Sequence, residues 1–163
     1  MYIRFEQADD NTEVEELHKL ACKEPQQSKS NKLCRASHHK TLSPSLVALE
    51  QGKVLAHLGF SEIRISDGSQ GWYRLGAIAV LPEKQGQGIA SAIIKSGLKL
   101  LQRQGAAGCI VLGNSHFYKR FNFKPTAKMY LQSLSNARLL AQSFSNNLPE
   151  GEVTYAPKLV QPT

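Results

Sequence analysis

The sequence predicts a mixed α/β fold, with a central mixed sheet of about six or seven strands flanked by helices. Three observations lead there. Apolar runs of strand length recur along the chain, the early ones are joined by turns short enough for antiparallel hairpins, and a later strand, glycine-rich turn, long helix and strand follow in the order of a strand-helix-strand unit. With 163 residues, 41% hydrophobic and 20% charged, the chain is long enough to bury a core and reads as a single domain over residues 1–163.

The elements follow in order. Met1 to Gln7 reads as a first strand, and Asp9-Asp10-Asn11-Thr12 is a capping cluster opening a helix through about Lys23, with Val14, Leu17, Leu20 and Ala21 as its apolar stripe. Glu24 to Thr41 is polar and basic and reads as a loop. Leu46 to Glu50 and Val54 to Phe60, the latter continuing toward Ile65, are strands joined through Gln51-Gly52-Lys53. Asp67 to Gly71 forms another turn. Trp72-Tyr73-Arg74 then leads into Leu75-Gly76-Ala77-Ile78-Ala79-Val80-Leu81, a buried strand stopped by Pro82. A helix from Ile89 carries Ile93, Gly97 and Leu101 on one face and Lys95, Lys99, Gln102 and Arg103 on the other, and ends at Gln104-Gly105. Cys109 to Gly113 is a further strand, His116 to Phe121 one or two helical turns, Phe123 to Pro125 extended, Ala137 to Ala141 a weak helix, and Val153 to Tyr155 a last strand.

Composition removes several function classes. Nowhere do about 18 apolar residues run together as a membrane helix needs, and the N-terminus lacks the apolar run of a signal peptide, so a cytoplasmic protein is expected. Cys22, Cys34 and Cys109 are odd in number and form no C-x-x-C pair, which suggests neither a disulfide framework nor a zinc site, and His38-His39 has no spaced partner; no metal is expected. The net charge of +7 is unevenly placed. Lys84 to Pro149 contains no Asp or Glu but nine cations, leaving eleven cations against thirteen anions elsewhere. Such a field draws in polyanions, a nucleotide cofactor among them.

Gln85-Gly86-Gln87-Gly88-Ile89-Ala90 lies between the buried strand and the long helix. Free N–H groups at Gln87, Gly88, Ile89 and Ala90, with the helix dipole behind them, form an anion cradle, and glycine at 86 and 88 lets the backbone approach an oxygen without a Cβ in the way. A dinucleotide fingerprint would need a third glycine where Ser91 stands, and an acidic residue about 20 positions on, which is absent. No glycine-lysine pair supplies a nucleoside triphosphate loop.

The remaining pattern, Q-x-x-G-x-A, resembles the [QR]-x-x-G-x-[GA] loop of the GNAT superfamily of N-acetyltransferases. Leu75 to Ala90 is similar to that family's fourth strand and loop, and Phe117-Tyr118-Lys119-Arg120-Phe121-Asn122-Phe123 to its later Y-x-x-x-G-F segment. Val153 to Pro157 resembles the tail of small bacterial members. The resemblance implies the acetyltransferase fold, acetyl-coenzyme A as cosubstrate and an amine-bearing acceptor. It also implies that Gln85 to Ser91 holds the pyrophosphate, that the backbone of Ile78, Ala79 and Val80 aligns the pantetheine arm, and that the Ile78 amide stabilises the thioester oxyanion. Tyr118 is implied as the general acid toward the departing thiolate and as a cofactor contact, with packing beside Phe117 and Phe121 as the alternative. Asn122 stands where the family has glycine and tolerates the left-handed conformation.

The base is not inherited, because Arg74 stands where some members carry a glutamate. Glu62, His57 and His116 are substitutes in name, and an acceptor of low pKa would need none. Lys29, Lys32, Arg35 and Lys40 in the polar loop favour a neutral or acidic acceptor over a polyamine. Two further readings stay open: a non-catalytic acyl-coenzyme A binding module, and a basic nucleic-acid binder. Against the second, the aromatic residues do not interleave with the cations. A monomer and a homodimer are both compatible with the sequence.

Overall fold

The computed structural model describes residues 1–21, 43–131 and 139–155. The predicted polar loop at Glu24 to Thr41, the thiols Cys22 and Cys34, and the last residues of the tail lie outside them. Nine strands occur among the described residues, seven of four residues or more and two of two residues each. The chain divides into two compact units, Met1–Phe60 with Gly76–Gly97, and Ser61–Leu75 with Leu98–Thr163.

In the first unit, β1 (Tyr2–Phe5) pairs antiparallel with β2 (Ser45–Glu50), and β2 pairs antiparallel with β3 (Lys53–Ile65), whose first half belongs here. The β2–β3 turn uses Gln51 and Gly52, both at positive φ, as a two-residue hairpin requires. The second half of β4 (Trp72–Val80) completes the strand set. Helix α1 (Asn11–Ala21) buries Val14 and Leu17 completely, as the stripe predicted. Its start is fixed by Asp10, whose carboxylate accepts from the Gln7 amide at 2.7 Å and from both terminal nitrogens of Arg4 at 2.7 and 3.0 Å. That pairing holds the Asp10 carboxyl below its ordinary range.

Helix α2 (Ile89–Arg103) starts in this unit and buries Ile89, Ile93 and Ile94. Gly97 sits against Leu58 and Phe60; a Cβ there would come within 2.7 Å of Leu58 Cδ2 and 2.8 Å of Phe60 Cε2. The missing side chain is what lets the helix lie this close to β3.

In the second unit, the first half of β4 pairs in parallel with β5 (Gly108–Leu112), and β5 pairs antiparallel with β8 (Leu139–Ser143). Two-residue β6 (Lys124–Pro125) adds to β8, while β9 (Gly151–Tyr155) pairs antiparallel with the end of β3 and in parallel with β7 (Met129–Tyr130). Ile63, Ile65, Trp72, Ile110, Met129, Leu131, Leu139, Ala141 and Val153 form its buried core. Of the helix predicted over Ala137 to Ala141, Ala137 and Arg138 lie outside the described residues, and Leu139 to Ala141 are corrected to strand by β8. Leu139, Leu140 and Ala141 lie opposite Leu112, Val111 and Ile110, and that ladder outweighs the helical propensity of leucine and alanine. Among the described residues, no helix is long and apolar enough to cross a membrane.

Candidate functional site

The strand-to-helix turn has the geometry its sequence predicts. Pro82–Lys84 forms a 3-10 turn after β4, Gly86 and Gly88 adopt φ of +80° and +84°, and α2 begins at Ile89. Nothing lies within 4 Å of the place a Cβ would take on either glycine, so the space beside both is open. Gln85 folds back, its Nε2 donating to the Val80 carbonyl at 3.1 Å, and this ties the turn to the end of the strand. Within the described residues, the amides from Gly86 to Ser91 donate no hydrogen bond, whereas that of Ala92 already bonds Gly88 O at 3.0 Å. Six successive N–H groups at the positive end of a four-turn helix thus await an acceptor, the arrangement an anion satisfies.

Ile78, Ala79 and Val80 occupy the last positions of β4, in the same unit as the loop. Ala79 and Val80 are buried and Ile78 is half-buried. The ladder between β4 and β5 runs only from Trp72 to Arg74.

Tyr118 belongs to the second unit, at the end of α3 (Ser115–Tyr118), a single turn capped by Asn114, whose side chain accepts from the His116 amide at 2.8 Å. Its ring meets Phe117 and Phe123 edge to face, with centroids 4.9 and 5.9 Å apart, and it passes close over Gly113, where a Cβ would be 2.9 Å from the ring. Burial, and then the neighbouring Cys109 thiol, push the phenol above its ordinary range, so the hydroxyl is a protonated donor at neutral pH. The following 3-10 turn Lys119–Phe121 is closed by Asn122 at φ +71°, the left-handed conformation expected from Asn in the place of glycine.

The three candidate bases sit in different settings. His116 and Glu62 are exposed. His57 is fully buried in the first unit; its Nδ1 lies 2.9 Å from His18 Nε2 and its Nε2 2.9 Å from Glu6 Oε1, which also accepts from Ser45 Oγ at 2.7 Å. This chain of polar groups links α1 to β3 and to Glu6, the residue after β1, and it gives a core histidine partners at both ring nitrogens. Sequence reading missed it because its members are 39 and 51 residues apart.

Arg74 is the other residue whose setting only the structure reveals. Opposite Ile110 in the β4–β5 ladder, it directs its guanidinium to Tyr155, 5.2 Å from the ring centroid, with Nη1 donating to the tyrosine hydroxyl. Its Nε is buried and has no hydrogen-bond partner among the described residues. Among the described residues, no group of three or more His, Cys, Asp or Glu could hold a metal ion.

Comparison with known proteins gives a consistent result. Residues 42–125 match the family model described as an acetyltransferase (GNAT) domain. The chain is 33% identical over 85 residues to the uncharacterised N-acetyltransferase YjhQ of Escherichia coli (strain K12), and 31% identical over 87 residues to YhbS of the same strain. These matches cover 51% and 53% of the chain but only 47% and 52% of the relatives, so the chain spans about half the length of the curated proteins it matches. Among solved structures, a GNAT family acetyltransferase from Brucella melitensis in complex with acetyl-CoA is 32% identical with a TM-score of 0.75, covering 98% of this chain and 97% of that one. YhbS from Escherichia coli in complex with CoA superposes with a TM-score of 0.79 at 23% identity, covering 95% and 89%, and shows the shared fold.

Proposed function

Since the chain belongs to the GNAT acetyltransferase family, we propose that it acts as one domain moving an acetyl group from acetyl-coenzyme A to a primary amine by direct attack. The observation that carries this reading is the row of unpartnered amides from Gly86 to Ser91, on an open turn at the start of α2. A pyrophosphate is the acceptor such a row fits, as a doubly charged group with oxygens enough to engage several N–H donors at once.

Acetyl-coenzyme A, when bound, supplies the acetyl group as a thioester. The loop Gln85 to Ser91 holds its pyrophosphate, and the peptide groups of Ile78, Ala79 and Val80 align the pantetheine arm. On the edge facing β5, the strand ladder ends at Arg74, which leaves those later peptide groups available. The Ile78 N–H donates to the thioester carbonyl oxygen as negative charge develops there. The acceptor nitrogen forms the new C–N bond as the C–S bond breaks. Tyr118, its hydroxyl kept protonated by burial, donates its proton to the sulfur, and the nitrogen loses its own proton to water.

Arg74 in place of a strand carboxylate favours an amine that arrives unprotonated. The same residue gives a second reading its footing, a module that binds acyl-coenzyme A without turnover. Thermal shift with coenzyme A and acetyl-coenzyme A, followed by mass spectrometry of a panel of amines and amino acids, tests both. Absence of stabilisation by either cofactor defeats the acetyltransferase reading, and stabilisation without acetylation of any amine selects the module.

A further inference from the structure

His18 of α1 and His57 of β3 meet inside the first unit, and both are buried. His18 Nε2 lies 2.9 Å from His57 Nδ1, with the ring planes 79° apart. At its other nitrogen His57 meets Glu6 Oε1 at 2.9 Å, and Ser45 Oγ donates to the same oxygen at 2.7 Å. Hydrogen bonds thus run from β2 through Glu6 and β3 to α1. The mechanism proposed above uses none of these residues.

Counting protons along this path shows what it tolerates. Glu6, ionised, only accepts, so His57 Nε2 carries a hydrogen toward it. The contact between the two rings holds one hydrogen, on either His18 Nε2 or His57 Nδ1. The remaining nitrogen, His18 Nδ1, is bare or protonated. The two rings therefore carry two or three hydrogens in all, a net charge of zero or +1, and the Glu6 carboxylate balances that single charge. A fourth hydrogen sets two N–H groups against each other across 2.9 Å, which breaks the contact.

We infer that the contact between His18 and His57 is an acid-sensitive latch on α1, closed while the pair bears at most one positive charge and opened by the second. Apart from each other, the two histidines each take up a proton below about pH 6.5. The open form then binds at least one proton more than the closed form. Stability of the closed form is therefore lost as pH falls below that value, with the opening constant rising about tenfold per pH unit for one proton.

The surroundings leave this window to the histidines. The other polar ties of α1 are made by carboxylates, Asp10 with Arg4 and Glu13 with the Val54 amide at 2.9 Å. Carboxylates ordinarily titrate about two pH units below histidine, and Arg4 holds Asp10 lower still. Further titratable side chains on the elements around the pair are Tyr2, Glu15, Glu16, Lys19, Glu50 and Lys53. As classes, phenols, carboxylates and ammonium groups ordinarily titrate outside pH 5 to 6.5. The part of β4 in this unit, residues 76–80, carries no titratable side chain.

Hydrogen–deuterium exchange of the full chain, at pH 7.5, 6 and 5 and corrected for the intrinsic pH dependence of exchange, tests the latch. In wild type the amides of α1 should exchange about tenfold faster at pH 5 than at pH 6, relative to residues 89–97 of α2. His18→Gln should abolish that difference, because a side-chain amide donates to a neutral His57 Nδ1 and accepts from a charged one. Ring-nitrogen chemical shifts of the histidine-labelled wild type give a second reading that needs no variant. At pH 5 the form with α1 protected should carry one positive charge over His18 and His57 together. Unchanged α1 protection between pH 6 and 5, a loss matched by α2, or a loss that persists in His18→Gln overturns the inference. So do two charged rings in a chain whose α1 stays protected.

Discussion

Gln85 Nε2 donates to the Val80 carbonyl at 3.1 Å, so the first residue of the glycine turn is anchored to the last residue of β4. The bond fixes the orientation of the turn relative to the strand end, and with it the direction in which the free amides point. Gln85→Ala removes it without adding bulk. A net hydrogen bond of about 1 kcal/mol corresponds to roughly a fivefold rise in the coenzyme A dissociation constant. Calorimetry would measure it, and an unchanged affinity would show that the turn holds its shape without this tie.

Two glycines should respond to alanine in opposite ways. Gly88, at φ +84° with open space around it, would suffer backbone strain of about 1 kcal/mol, within the turn proposed to hold the anion. Gly97 has an ordinary backbone but no room, with Leu58 Cδ2 at 2.7 Å from the added carbon, and overpacking of this kind costs about 1–3 kcal/mol. Gly97→Ala is therefore expected to lower the melting temperature more and leave coenzyme A affinity intact. Gly88→Ala should do the reverse, by thermal denaturation and calorimetry on the same samples.

How far the sequence spoke for itself follows from distance along the chain. The glycine turn, α2 and the left-handed Asn122 depend on residues within a few positions of one another, and their chemistry is legible locally. Strand β8 is not, because Leu139-Leu140-Ala141 carries no strand signal until β5 supplies a ladder for it. Two-residue β7 is too short to leave any pattern, and pairs only because β9 returns beside it. The Glu6, His57 and His18 chain and the Arg74 and Tyr155 pair join residues 39 to 81 positions apart. Which side chains meet in such pairs is decided by strand register, and a single sequence does not print register.

Tyr118→Phe separates the proposed acid role from packing. The ring contacts with Phe117 and Phe123 survive the substitution, so stability should change little. Loss of a general acid should lower kcat about 100-fold with the KM for acetyl-coenzyme A nearly unchanged. Because burial raises the Tyr118 pKa, wild-type activity should not fall through ionisation of this phenol below about pH 10. A variant as active as wild type would return Tyr118 to a packing role.

The same burial makes the fold sensitive to alkali. Cys109 is fully buried on β5, and desolvation pushes its thiol far above the ordinary value. Below about pH 8.5 the thiol is protonated in folded and unfolded chains alike, and its contribution to stability is fully present. Above that, the unfolded chain releases this proton while the folded chain retains it, so unfolding becomes easier by about 1.4 kcal/mol per pH unit for one group. Tyr73 and Tyr118, both also raised by burial, add to the slope above about pH 10, where unfolded tyrosine ionises. Cys109→Ala removes the first of these protons but not the others. Urea unfolding at pH 7, 9 and 10 should show wild type losing stability between pH 9 and 10 more steeply than Cys109→Ala, by close to one proton. Parallel curves for the two proteins would mean that the thiol ionises as readily in the folded chain as in the unfolded one.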